Sequence, residues 1–358
     1  MHGEYKVPGG KLVVVDVETD DGRLADVVVS GDFFLEPDEA LDVIARSLVG
    51  QAADASVTVL ARAVTDGLDA ATAAGQVAAP VTMVGFDGRS VAMAVHRALG
   101  LSTTWDDHEF EVLHPGPLTP ATHVALDQVL TEALGSGLRG PTLRFWEWTE
   151  PATVIGSFQS LRNEVDLEAA QRLGVTVLRR ISGGGAMFME GGNCVTFSLV
   201  VPASLVDGMS FEDSYAFLNA WVVEALADVG VKAFTTGIND IASPLGKLAG
   251  AAQKRLASGA VLHHVTMAYD IDADKMMQVL RIGREKVSDK GIRSANKRVD
   301  PVRSQTHLPR AEVVARLKAH FEGRYRTRPS ELRADELDRA AELVVTKFTD
   351  PSWTARVP

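Results

Sequence analysis

The chain has 358 residues, 46% of them hydrophobic and 23% charged, the proportions of a globular protein that can bury a core. Its formal net charge of −11 argues against sequence-independent nucleic-acid binding, which needs a surplus of Lys and Arg to neutralise phosphates. The single cysteine, Cys194, excludes an internal disulfide and a cysteine-rich zinc site and suits a reducing cytoplasm, the expected location.

No signal peptide is read at Met1–Tyr5, and no apolar run approaches ~18 residues, so no membrane span is expected. Residues 1–105 read as a unit of their own. Leu12–Val17 and Val27–Val29 are β-branched runs around an Asp20-Asp21-Gly22 turn, which predicts a hairpin. Pro37-Asp38-Glu39 opens an amphipathic helix with Leu41, Ile44, Ala45 and Leu48 on one face. The alanine-rich stretch 52–79 reads as helical in pieces, and a last helix spans about Gly88–Leu99. This unit is α+β.

Leu101–Pro120, with Pro115-Gly116-Pro117, reads as a connection into a second unit, 106–358. There Leu126, Val129, Leu130, Ala133 and Leu134 recur as one buried helical stripe. Strands follow at Leu143–Trp146, Thr153–Gly156 and Val175–Leu178, and a long helix carries Phe211, Tyr215, Leu218, Val222, Leu226 and Val229. Strand-like runs recur at Val231–Phe234 and Ala260–Ala268; from Asp272 onward the chain reads as helical and more charged. The second unit is therefore mixed α/β or α+β.

Three segments carry chemistry. The first is Arg179-Arg180-Ile181-Ser182-Gly183-Gly184-Gly185-Ala186-Met187-Phe188. Three consecutive glycines are entropically costly and make sense where backbone must pass close to a ligand. Arginine suits carboxylate or phosphate. A solvent-exposed turn is the plainer alternative for such a run; here the glycines lie between two apolar strands, which favours a site. The second segment is Asn239-Asp240-Ile241, a Ser-Pro-Leu-Gly turn, then Lys247 with only small residues after Leu248 until Gln253. Small side chains leave room for something bulky beside the ammonium, although a lysine beside a turn is ordinarily just solvated. The third, Leu262-His263-His264-Val265-Thr266, places two histidines on opposite faces of a strand, a poor arrangement for one metal.

In this order the three segments resemble the catalytic domain of lipoate–protein ligases. Arg179–Ala186 reproduces the family's arginine–glycine motif and Gly192-Asn193 follows it. Asn239, Asp240, Lys247, Gly250 and Ala252 fall on the second motif; His263, His264 and Thr266 fall on the third. The resemblance covers about 110–350. It implies a biotin/lipoate-ligase-like (class II synthetase-like) α+β catalytic domain, a mixed sheet flanked by helices. Lys6–Leu12 and Ser30–Leu35 look like the small accessory domain of the same enzymes, here placed first, which divides the chain at 1–105 and 106–358. Two positions depart from the pattern: Met189-Glu190 stands where the family often has His-Asp, and Val265 replaces the glycine of the histidine motif. They bear on acceptor choice or acyl-chain preference more than on activation.

The resemblance implies ATP-dependent activation of lipoate to lipoyl-adenylate, with Mg2+, and transfer to a lysine of an acceptor domain. The glycine-cleavage carrier, a dehydrogenase E2 domain or a related lipoyl carrier is the expected partner, and a monomer the expected form. By position, Lys247 is the catalytic residue and bridges acyl carbonyl and α-phosphate. Arg180, Gly185, Ala186, Met187, Phe188, Asn239, Asp240 and Lys247 fall to ATP; Arg180, Gly183, Gly184, Lys247, Ala252 and His264 fall to lipoate; Asp240 falls to magnesium. Rival readings are an octanoyl or lipoyl transferase, which works through a cysteine without ATP, and a non-catalytic acyl-binding homologue. The stretch before the lysine motif, Phe234–Ile238, holds no cysteine, and Cys194 reads as a small buried hydrophobe. The glycine–arginine loop of biotin ligases is not found.

Overall fold

The computed structural model describes residues 1–7, 9–281 and 299–358. Pro8, within the accessory-domain resemblance, and 282–298, within the charged helical tail, lie outside the described residues. The chain divides into two compact units: Met1–Thr104 with Ser204–Met209, and Trp105–Ala203 with Ser210–Pro358.

In the first unit β1 (His2–Lys6), β2 (Leu12–Asp20) and β3 (Arg23–Gly31) form an antiparallel sheet. The β2–β3 turn places Asp21 and Gly22 at φ of 46° and 72°, the left-handed pair that a tight two-residue hairpin requires. Val13, Val15 and Val17 alternate inward and meet the helices Ala40–Leu48, Val57–Ala73 and Gly88–Ala98. A second pair, β4 (Phe34–Glu36) and β5 (Thr82–Val84), completes the unit. The first helix buries Ala40, Val43, Ile44 and Leu48, whereas Leu41 and Ala45 are half-buried. The apolar face is rotated from the predicted one because both a strand and a neighbouring helix pack on it. Within this unit His96 is buried, its Nδ1 2.5 Å from Asp207 Oδ2 and its Nε2 2.8 Å from Ala55 O.

The second unit contains β6 (Phe110–Leu113), β7 (Thr142–Trp146), β8 (Ala152–Ile155), β9 (Thr176–Arg179), β10 (Met187–Met189) and β11 (Cys194–Pro202). It continues with β12 (Phe234–Thr236), β13 (Asp240–Ser243), β14 (Gly246–Arg255), β15 (Ala260–Ala268) and β16 (Thr327–Pro329). Among the described residues, eight strands form one sheet in the order β12-β13-β14-β15-β11-β7-β6-β16. The β6–β7 and β6–β16 pairs are parallel and the other pairs antiparallel, so the sheet is mixed. A small sheet, β10-β8-β9, stands apart. Helix Pro120–Gly135 packs on β11 and β15, while Phe211–Asp228 packs its Trp221 against Phe197 of β11. The fold is α+β, a mixed sheet flanked by helices, as the sequence leads one to expect.

Several local expectations shift. The connection Leu101–Pro120 contains β6, hidden in sequence because the charged Glu111 interrupts its apolar run. In the fold Glu111 is buried and compensated by Arg139 at 2.9 Å, Arg328 at 2.6 Å and Ser330 at 2.7 Å. The run at Val231–Phe234 becomes a strand only at Phe234–Thr236. Phe211, expected on a buried stripe, is exposed with the Arg255 guanidinium 4.9 Å over its ring, since Phe211, Glu212 and Asp213 at the start of its helix face solvent. In Pro120–Gly135, Leu126, Val129 and Leu130 are buried as expected and Ala133 and Leu134 only half so. The same helix buries a second, polar stripe, His123, Asp127 and Thr131. β16, with a proline inside it, is an edge strand. Among the described residues no helix is long and apolar enough to cross a membrane.

Candidate active site

A cleft in the second unit is lined by residues of all three chemical segments. Arg180, Gly185, Ala186 and Met187 come from the glycine loop, Asn239, Lys247 and Ala252 from the lysine segment, and His264 from the histidine strand. Val124, Trp146, Trp148, Val154 and Met189 form an apolar wall.

The glycine loop links β9 to β10, and close backbone approach explains its composition. A Cβ on Gly156 would stand 2.1 Å from Gly184 O, so the two glycines pass backbone to backbone. Gly184 itself has φ of +88°, and a side chain there would meet Arg180 at 3.1 Å and Ala252 at 3.6 Å. Arg180 is buried and braces this loop from within. Its Nε donates to Ser182 Oγ at 2.9 Å, Nη1 to Val154 O at 3.0 Å, and Nη2 to Gly183 O at 2.6 Å and Gly185 O at 2.9 Å. Of the five N–H groups of a guanidinium, one on Nη1 remains for the cleft among the described residues. Burial pulls the Arg180 pKa down to about 10, against the opposing pull of Tyr215 and Asp127.

Arg179 points elsewhere. Its guanidinium donates to the carbonyls of Gly156, Ser157, Gln159, Thr354 and Val357, tying the chain end to the loop before the small helix Leu161–Glu164. The arginine pair thus splits its work, and only the second member reaches the cleft. Phe188 likewise turns its side chain into a hydrophobic cluster with Ile155 and Val175, which leaves only its backbone for any ligand.

Lys247 reaches the cleft through a bulge. Asp240 pairs with Gly250 and Ile241 with Ala249, but Ala242 pairs with Lys247, so Leu248 is an extra residue in β14. Strict alternation would put Lys247 on the face of Ala249; one extra residue turns it to the face of Gly250 and Ala252. Accordingly the position of a Cβ on Gly250 lies 3.2 Å from Lys247 Nζ. The ammonium is 2.7 Å from Asp240 Oδ1, with both side chains partly exposed. Asp240 stands behind the lysine rather than in the cleft lining. Asn239 holds the adjacent strand, its Nδ2 donating to Ala251 O at 2.6 Å. The Lys247 carbonyl accepts from Asp300 N at 2.9 Å, and the Asp300 carboxylate accepts from Ser243, Ser304 and Gln305 at 2.5–2.6 Å. Asp300 gave no signal in the sequence.

The apolar wall hides a polar network that sequence reading also missed. Asp127 is fully buried; its Oδ2 accepts from His264 Nδ1 at 2.6 Å, and its Oδ1 accepts from Arg144 Nη2 at 2.8 Å and from Ser198 Oγ. Burial works to raise the Asp127 carboxyl, but His264, Arg144 and Ser198 hold it below the ordinary carboxylate value. His264 Nε2 is 2.7 Å from Ser182 Oγ. The spacing of His123, Asp127 and Thr131 at every fourth residue was the available clue, a polar stripe on a helix that already had an apolar one.

Of the two departures from the family pattern, Met189 lines the cleft and Glu190 binds Lys275 at 2.9 Å. Val265 lies on the other face of β15, pairing with Ala251 and Phe197. Cys194 is wholly buried, its Sγ donating to Glu190 O, and burial pushes the thiol up to about 11.

A glycine loop and a lysine facing one cleft on this mixed sheet define a protein of the biotin/lipoate-ligase-like fold. Residues 119–322 match the lipoyl protein ligase A/B catalytic domain, and the chain belongs to that family. It is 26% identical over 281 residues to octanoyltransferase LipM of Lysinibacillus sphaericus, spanning 70% of this chain and 98% of that one. The bi-partite lipoate protein ligase of Thermoplasma acidophilum, solved in a study of that system and its E2 lipoyl domain, superposes with TM-score 0.62 at 28% identity. That match covers 70% of this chain and 98% of the other. A lipoate-protein ligase A bound with ATP superposes with TM-score 0.59 at 25% identity over 70% of this chain and 99% of that one. The chain is thus an enzyme of the lipoate ligase and octanoyltransferase family.

Proposed function

We propose that the protein is the ligase rather than the transferase: it activates lipoate with ATP and passes the lipoyl group to a lysine of an acceptor domain. The observation that carries this is the state of the chain's single thiol. A transferase that carries its acyl group on cysteine needs an accessible, readily ionised sulfur. Cys194 is buried, its thiol raised to about 11, and it lies outside the cleft lining. What the cleft offers instead is a cation and a bare backbone loop, the means to stabilise charge on phosphate and carbonyl oxygens.

In the first half-reaction the lipoate carboxylate attacks the α-phosphate of ATP and pyrophosphate leaves. In the second the acceptor amine attacks the mixed anhydride and AMP leaves. Lys247 would bridge the carbonyl and phosphate oxygens in both. Gly185, Ala186, Met187 and the Phe188 backbone, with Asn239, would receive the nucleotide; Gly183, Gly184, Ala252, His264 and the remaining Arg180 N–H would border the acyl group. A magnesium ion would neutralise phosphate charge when bound, and Asp240 has the hard carboxylate oxygen that such an ion takes together with substrate phosphates. The similarity to a ligase bound with ATP supports the nucleotide assignment. An E2-type lipoyl domain is the acceptor class we favour, and the first unit is read as an accessory module.

The test is lipoate-dependent exchange of pyrophosphate into ATP in the absence of acceptor, followed by intact mass of an apo lipoyl domain. Exchange together with an acceptor mass shift that requires ATP supports the ligase. An acyl-enzyme thioester formed without ATP would establish the transferase.

A further inference from the structure

The two half-reactions differ in their need for a base. Attack by a carboxylate on phosphorus moves no proton. An acceptor lysine is different: its ordinary pKa is about 10.4, so at neutral pH it is an ammonium with no lone pair to attack. A proton acceptor at the cleft would raise the fraction of free amine there.

Among the described residues lining the cleft, Arg180 and Lys247 are cations, and His264 is the side chain able to accept a proton. Three histidines surround this region, and their partners separate them. His263, fully buried, has Nδ1 3.2 Å from Gln253 Nε2 and Nε2 2.9 Å from Asn219 Oδ1. The amide nitrogen donates and the amide oxygen accepts, so the ring has one proton and no use for a second; burial lowers its pKa to about 3. His123 is locked the same way. Its Nδ1 accepts from Arg144 Nη1 at 3.0 Å, Nε2 donates to Glu147 O at 2.8 Å, and burial with the Arg144 charge lowers it to about 3.

His264 is built for both states. Its Nδ1 must donate to the Asp127 carboxylate, which fixes the tautomer and leaves the lone pair on Nε2. Nε2 faces Ser182 Oγ, a hydroxyl that already accepts from Arg180 Nε. Such a hydroxyl can donate to a neutral ring or, by rotating, accept from a protonated one. The ring can therefore gain a proton without leaving any polar group unpaired, and the buried Asp127 carboxylate compensates the new charge. The side chain keeps 11% exposure and is one of the residues that line the cleft. Ser182 is fully buried, so this aspartate–histidine–serine line is no acyl carrier.

From this arrangement we infer that His264, held by Asp127, is the proton acceptor of the transfer half-reaction, an assignment that rests on the ligase reading above. The acceptor ε-ammonium gives one proton to His264. The freed amine nitrogen then bonds to the carbonyl carbon of the acyl-adenylate. The carbonyl carbon–oxygen bond to phosphate breaks, its electron pair leaves with AMP, and the second N–H proton departs to the AMP phosphate or to water. The charges facing His264 are Asp127 from the helix, Arg144 from β7, Arg180 from the loop and Lys247 across the cleft; His263 lies on the reverse of its own strand.

The experiment supplies presynthesised lipoyl-adenylate to the full chain and measures transfer to an apo E2 lipoyl domain across pH 6–10. For the wild type, transfer at neutral pH should run well ahead of the His264 variants. His264→Gln and His264→Ala should lose about 10²-fold or more in transfer, measured relative to each variant's own adenylation rate, and their profiles should climb toward the lysine range. Added imidazole should restore part of His264→Ala. Hydroxylamine, uncharged at neutral pH, should trap the adenylate with a far smaller penalty in these variants, and Asp127→Asn should move the same way as His264→Gln. Equal losses in adenylation, hydroxylamine trapping and lysine transfer would mark His264 as merely structural and overturn the assignment, as would a wild-type pH profile in a folded His264→Gln. Failure of the wild type to use lipoyl-adenylate at all would defeat the ligase reading itself, and this assignment with it.

Discussion

Lys247 Nζ and Asp240 Oδ1 stand 2.7 Å apart, joined across two strands whose register slips by one residue between them. The carboxylate orients the ammonium over Gly250, where a cation would meet an acyl–phosphate anhydride. Replacing Lys247 with Ala should cost about 3–4 kcal/mol of adenylation barrier, the scale of losing one key oxyanion donor. Thermal unfolding should change little, because the side chain is partly exposed. Near-normal pyrophosphate exchange by this variant would defeat the assignment.

The Gly156–Gly184 approach makes a second prediction. A methyl group at 156 would stand 2.1 Å from the Gly184 carbonyl, so the glycine loop must move. Gly156→Ala should lose roughly 1–3 kcal/mol of stability and weaken nucleotide binding at least tenfold, read by equilibrium dialysis of ATP. Wild-type affinity would show that the loop does not hold the nucleotide.

Cys194 separates the two activities of the family. Cys194→Ala should cost about 1 kcal/mol of stability and keep lipoylation within about twofold. Iodoacetamide should leave the native enzyme active, since a buried thiol with a pKa raised to about 11 is inert at neutral pH. Loss of activity in a folded Cys194→Ala would return the protein to the transferases.

His96 predicts a pH dependence in the first unit. Both of its partners, the Asp207 carboxylate and the Ala55 carbonyl, are acceptors, so both ring nitrogens donate and the ring is an imidazolium. Burial opposes that charge, but the two bonds outweigh it and the pKa is raised above 6.5. The sign follows from linkage: the folded state binds the proton more tightly, so the stabilisation is complete below the unfolded value and fades as pH rises through the folded one. The protection factors of amides near His96 and Asp207, taken relative to intrinsic exchange at each pH, should therefore fall at alkaline pH, and His96→Gln should abolish that fall. A flat profile in the wild type would contradict the imidazolium.

Sequence alone determined the fold class and the chemical segments. The Asp-Gly turn, the long helices and Ala260–Ala268 follow from short-range periodicity and turn chemistry, which do not depend on distant partners. The glycine run and the small residues after Leu248 advertised a cleft because only close backbone approach justifies them. Tertiary structure decided what depends on register and on partners far along the chain. Nothing local reveals that Leu248 is an extra residue, yet that slip turns Lys247 into the cleft. Adjacent arginines look alike in sequence, but Arg179 is spent on the chain end and Arg180 on the glycine loop. Asp127, His123 and Glu111 read as ordinary helix or loop polarity, because a buried charge is recognisable only once its counter-charges arrive. The chain spells out which groups are present; the sheet and helices choose which of them share a proton.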